Sequence, residues 1–151
     1  MTFFPSKRSW PRTFGDVWLL VRVFVMLTGL RLTLRWVRLD NLLRRFTPRA
    51  IPNQTDDRAM ERVRSYADGL VWRIPYLRER KCLPRALTLY YFATRFGYPV
   101  RFHCGVCRGA NQRLEGHAWL VLGGRPFLEP EDPTAKYAVT LTFPAPENIS
   151  R

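Results

Sequence analysis

Cysteine is scarce in this sequence. Three among 151 residues is an odd count and too few to staple a small secreted fold, so the expected compartment is reducing and cytoplasmic. Acidic residues are thin as well: twelve Asp and Glu against twenty-five Lys and Arg give a net charge of +13, which asks for an anionic partner or surface. No long uncharged apolar run exists. The most apolar stretch, residues 17–39, is interrupted by Arg22, Arg31, Arg35 and Arg38, and its longest charge-free run is the eight residues 23–30. A bilayer span needs about 20. Arg22 also splits that stretch, and no small-x-small cleavage site follows it, so it does not read as a secretory signal. The GxGxxG and GxxxxGK[ST] patterns are missing, which leaves nucleotide binding without support, and no period of about 20–50 residues marks a repeat array.

What is present is enough for a core. At 46% hydrophobic and 14% aromatic, a chain of this length should bury roughly two-thirds of its unfolded surface without disulfides or metal. The charge is uneven. Residues 1–50 hold ten basic and two acidic residues, the remainder fifteen and ten. Composition alone therefore also allows a basic adaptor for membrane surfaces or nucleic acid. We divide the chain into a basic, apolar, helical segment (1–50) and a core (51–151), expected to pack as one compact domain. Lys7, Arg8 and Arg12 with Pro5 and Pro11 form a basic lead-in. The segment 17–29 is apolar on nearly all sides, as in a core helix, a helix docked on a partner, or one lying in a membrane interface. The expectation is a core helix with a basic edge.

Asp40 is placed to cap a short helix over 41–46, and Thr47-Pro48 with Ile51-Pro52-Asn53 makes a linker. Thr55 is the expected N-cap of a helix whose Ala59, Met60, Val63, Ala67, Leu70 and Val71 follow the 3.6 period, ending near Pro75. Residues 83–96 form the best-signalled helix, with Pro84 in its first turn and Gly97 at its end. The period then changes to that of strands over 100–107, 118–122 and 137–143, with a loop at 109–116 and a Gly123-Gly124 hairpin turn. Helices followed by neighbouring strands predict an α+β domain with an antiparallel sheet.

Cys82 carries the candidate chemistry. It stands at a helix start, where unpaired N–H groups and the macrodipole favour a thiolate, and Arg80, Lys81 and Arg85 add positive charge. It shares a helical stripe with Ala86, Leu89, Ala93 and Phe96, and the two alanines let a sheet approach closely. His117 opens a strand with Trp119 and Val121 on its own face. The hairpin through Gly123-Gly124 returns Glu129 beside it, where a carboxylate would orient the imidazole of a Cys–His pair. A small buried hydrophobe and a structural histidine are the blander alternatives.

Cys104-Gly105-Val106-Cys107, with His103 before it, is a second cysteine pattern. A redox site needs a helix opening at the first cysteine, but a loop follows the second. On a strand, positions 104 and 107 face opposite ways, and a structural zinc site would need a fourth ligand beyond His103, Cys104 and Cys107. Strand cysteines without metal are the expectation; a zinc-binding module stays as an alternative.

Four motifs in order, Cys82-Leu83-Pro84-Arg85-Ala86-Leu87, Gly97-Tyr98-Pro99-Val100, Gly105-Val106 and Gly116-His117-Ala118-Trp119, resemble the transglutaminase-like leader peptidases of lasso-peptide biosynthesis. The resemblance is dense from Arg80 to about Glu129. It implies a transglutaminase/papain-like core whose nucleophile-bearing helix packs on the antiparallel sheet, with no cofactor. By position Cys82 matches the nucleophile and His117 the base. Glu129 falls where the family generally has Asp, and Leu128 replaces the preceding Asn, so Asp132 stays open as the acid. The backbone N–H of Cys82 is the expected oxyanion donor, with Trp72 and Tyr76 as options for a second. The implied substrate is a ribosomally made precursor peptide. The implied partners are a separate leader-binding protein, since residues 1–79 read as helical, and an ATP-dependent lasso cyclase. Peripheral membrane contact is allowed and nucleic acid is not expected.

Overall fold

The computed structural model describes residues 13–78, 81–109 and 112–145. The basic lead-in, with Lys7, Arg8 and Arg12, and Arg80 beside the candidate nucleophile lie outside those residues. Five helices come first: α1 (Phe14–Thr33), α2 (Leu39–Phe46), α3 (Asp57–Arg73), α4 (Pro75–Arg78) and α5 (Cys82–Arg95). Strands β1 (Arg101–Arg108), β2 (Leu114–Leu122), β3 (Arg125–Phe127) and β4 (Ala138–Phe143) follow, with a 3-10 turn at Pro133–Ala135. The sheet runs β3-β2-β1-β4, antiparallel throughout. This is the α+β architecture expected from the order of periodicities.

Local chemistry explains the boundaries. Thr13 caps α1 reciprocally: its hydroxyl accepts from the Asp16 N–H, and its own N–H donates to the Asp16 carboxylate. The cap of α3 is Asp56, accepting from the Ala59 N–H at 2.9 Å, one residue beyond the expected Thr55. Asp40 sits in the first turn of α2 rather than capping it, because Arg38 is the extended residue before the helix. Helix α5 begins at Cys82, one residue early, and gives way at Phe96 to Gly97 with φ +83°. Strand β2 starts at Leu114, so the loop before it is shorter than expected. The turn between β2 and β3 places Gly123 and Gly124 at φ +57° and +80°, a left-handed pair that suits glycine and matches the twist of the flanking strands.

Helix α5 is the hub. Ala86, Leu87, Leu89, Tyr90, Phe92 and Ala93 are buried between α1 and α3 on one side and the sheet residues Phe102, Ala118 and Leu120 on the other. The alanines bring the helix close to β2, which fixes where the start of α5 meets that strand. The core is continuous from Val23 on α1 to Leu120 on β2. Polar ties secure the helical layer: Arg62 on α3 pairs with Asp16, and Arg95 donates to the Phe46 carbonyl at 2.9 Å.

Helix α1 is not buried all round. Val23, Leu27 and Leu30 enter the core, while Phe14, Trp18, Val21, Val25 and Leu32 remain exposed on the opposite side. A sequence that is apolar on every face cannot itself say which face the fold covers. Among the described residues no helix is long and apolar enough to cross a membrane.

Candidate active site

The first turn of α5 delivers Cys82 to the middle of β2. Its Sγ lies 3.8 Å from the Gly116 carbonyl, to which the thiol donates. Burial pushes the Cys82 thiol up, but a hydrogen bond from His117, that residue's charge and the N–H groups of Leu83 and Ala118 outweigh it, so the net shift is downward. His117 moves the other way. Its contact with Cys82 and its bond to Glu129 outweigh burial and raise it to about 9. The opposite shifts both favour moving the proton from sulfur to imidazole.

One of the flanking basic residues, Arg85, acts differently from the sequence expectation. Arg85 is not a free positive charge beside the sulfur. Its Nε meets Asp68 Oδ1 at 2.6 Å, its Nη1 meets Glu129 Oε1 at 2.6 Å, and its Nη2 donates to the Leu128 carbonyl at 3.1 Å. The side chain is 13% exposed and that of Glu129 only 6%. The guanidinium fork therefore fixes one Glu129 oxygen and leaves the other, Oε2, 3.5 Å from His117 Nε2. Leu128, where the chain leaves β3 just before Glu129, takes a left-handed backbone conformation with φ +60°.

The His117 ring is walled by aromatics. It stacks on Trp119 with centroids 5.8 Å apart and on Tyr137 at 5.1 Å. Gly105 makes room for this wall, since a Cβ there would come within 2.9 Å of the Trp119 ring and 2.8 Å of the Ala138 carbonyl. Trp119 was legible as sharing the His117 face. Tyr137, just before β4, was not, because its approach depends on β4 pairing with β1 rather than with β3.

Asp132 faces other work. It accepts from the Thr134 N–H at 2.9 Å and from the Thr134 hydroxyl at 2.5 Å, capping the 3-10 turn. Cys104 packs against the core, and burial, then the charge of Cys82, lifts its thiol to about 11. Cys107 lies 3.8 Å from Glu115 Oε2, and all three cysteines are free. His103, Cys104 and Cys107 do not converge: among the described residues no three His, Cys, Asp or Glu side chains group to hold a metal ion. Tyr76, one option for an oxyanion donor, lies beneath Arg31, whose guanidinium carbon is 4.0 Å from the ring centroid. Trp72 is largely exposed.

A cysteine at a helix start, facing a strand histidine that is backed by a carboxylate just beyond the next strand, is the arrangement of a papain-like or transglutaminase-like thiol site. The sequence model of the transglutaminase-like superfamily matches residues 24–142, and the chain belongs to that superfamily. Its members generally act as cysteine proteases or acyltransferases. No curated protein and no solved structure matches the chain.

Proposed function

We propose that the protein is a cysteine peptidase that removes the leader from a ribosomally synthesised, lasso-type precursor peptide. The observation that carries the chemistry is the Cys82–His117–Glu129 contact, with the thiol lowered and the imidazole raised to about 9. The motifs around those residues carry the choice of substrate. Cys82 is the nucleophile, His117 the base and acid, and Glu129 the residue that orients it.

With Nε2 turned to Glu129, Nδ1 is the nitrogen left to exchange a proton with sulfur. The thiolate attacks the scissile carbonyl, forming the C–S bond. The oxyanion takes the Cys82 N–H, which lies in the first turn of α5, ahead of the Arg85 N–H that bonds the Lys81 carbonyl at 3.1 Å. The neighbouring Leu83 N–H is turned to the sulfur, and Pro84 has none to offer. Collapse of the tetrahedral adduct breaks the peptide C–N bond as the imidazolium protonates the leaving amine. His117 then draws a proton from water, whose oxygen attacks the thioester carbonyl; the C–S bond breaks and the thiolate returns beside the imidazolium. A separate leader-binding protein delivers the precursor, and an ATP-dependent cyclase uses the freed amine.

The test is a mass-spectrometric cleavage assay with a lasso-type precursor, its leader-binding protein and this protein. Free leader and core should form with wild type, and neither with Cys82→Ala or His117→Ala at unchanged melting temperature. An amine-linked leader in place of the free acid would reassign the site to acyl transfer.

A further inference from the structure

The outward face of α1 has no role in the site, and its composition is specific. Phe14, Trp18, Val21, Val25 and Leu32 succeed one another by four, three, four and seven residues, so they form one stripe along the helix. Phe14 is 94% exposed and Trp18 63%, and Trp36, in the turn beyond the helix, is 89% exposed. At about 1.5 Å per residue the stripe is roughly 30 Å long.

Apart from the Trp18 indole N–H, a group that suits a membrane–water interface, the stripe's apolar side chains offer no hydrogen bonds. Thr28, the polar residue within it, turns its hydroxyl back onto the Phe24 carbonyl at 2.8 Å. A protein partner of that size would ordinarily exchange several hydrogen bonds across the contact; acyl chains exchange none. The borders are cationic. Arg22 and Arg31 fall on opposite flanks of the stripe on a helical wheel, laid over Phe92 and Tyr76. Residues 13–50 hold seven arginines and two aspartates, and one of those aspartates, Asp16, is buried and paired with Arg62.

We propose that this face is a docking surface for an anionic phospholipid bilayer. Helix α1 lies in the plane of the interface, its apolar stripe among the upper acyl chains and its arginines at the headgroups. The opposite face, through Val23, Leu27 and Leu30, is committed to the core, so the helix lies on the bilayer and does not cross it. Binding does not depend on the peptidase chemistry, so Cys82→Ala protein should bind as wild type does.

The experiment is co-sedimentation of the full chain with vesicles of equal parts phosphatidylglycerol and phosphatidylcholine, and with phosphatidylcholine alone. Wild type should favour the anionic vesicles about tenfold or more, less so as salt rises. Trp18→Glu and Val25→Glu, each at a solvent-facing site, should weaken that binding by about tenfold while keeping the melting temperature. Three results would overturn the proposal. One is no binding to anionic vesicles. Another is binding that both substitutions leave intact, which would assign it to the basic residues alone. The third is a protein that ignores vesicles but forms a dimer that the same substitutions dissolve, which would give the face to a second copy of the chain.

Discussion

Replacing Glu129 by Gln keeps the shape of the side chain and removes its charge. In the folded protein one Glu129 oxygen is 3.5 Å from His117 and the other is 2.6 Å from Arg85, with the side chain 6% exposed. A hydrogen bond to a charged group contributes about 1.5–3 kcal/mol, and one pKa unit is about 1.4 kcal/mol, so losing the carboxylate should lower His117 by about 1–2 units. His117 stands at about 9 in the wild type. The imidazolium must persist to protonate the leaving amine, so the alkaline limb of the pH profile of kcat/KM should fall near 9 in wild type and roughly at 7–8 in Glu129→Gln. At the optimum the loss should be about 10²- to 10⁴-fold, because the ring is no longer fixed in one orientation. The assay is precursor cleavage followed across pH by mass spectrometry. Asp132→Asn is the paired control, and its profile should overlay wild type because Asp132 serves Thr134. An unmoved alkaline limb in Glu129→Gln, with kcat/KM near wild type, would refute the argument; a shift in Asp132→Asn instead would move the role to that residue.

Arg85→Met leaves the buried Glu129 carboxylate and Asp68 without their common partner and should cost roughly 3–5 kcal/mol in urea unfolding. A loss under about 1 kcal/mol would mean that the two short ion pairs do not anchor Glu129. Because His117 is raised in the folded state, its contribution to stability is complete below its unfolded value of about 6.5 and disappears as pH rises through about 9. The melting-temperature gap between wild type and His117→Ala should therefore narrow across that window, and a gap that widens would contradict the thiolate–imidazolium pair. Gly105→Ala pushes a methyl against the Trp119 ring and the Ala138 carbonyl. It should destabilise the fold by about 1–3 kcal/mol and disturb the wall behind His117, both visible in thermal melts and alkylation rates.

Much of the site was legible because it is built from local signals. Pro84 and Gly97 bracket α5, which puts Cys82 at a helix start, and the Gly123-Gly124 turn sets the hairpin register that returns Glu129 to His117. What was not legible depends on long-range encounters. Arg85 reads from sequence as one more positive charge near the thiol. Its contacts with Asp68 and Glu129, 17 and 44 residues away, exist because α3 packs on α5 and β3 folds back on β2. Likewise, the outward face of α1 was hidden because the helix is apolar on both sides, and only the packing of Val23, Leu27 and Leu30 onto α5 decides which side meets solvent. The competing His103-Cys104-Gly105-Val106-Cys107 pattern dissolves for a local reason: alternation along β1 turns Cys104 to the core and Cys107 toward Glu115.

In the proposed mechanism His117 keeps the Cys82 thiol ionised, which is read most directly from the pH dependence of alkylation at each cysteine, by peptide mapping after sub-stoichiometric iodoacetamide. Cys82 should react well below a free thiol's pKa of about 8.5, His117→Ala should abolish that advantage, and Cys104 should stay inert until the pH approaches about 11. Cys82 remaining inert while Cys104 or Cys107 reacts first would contradict the account.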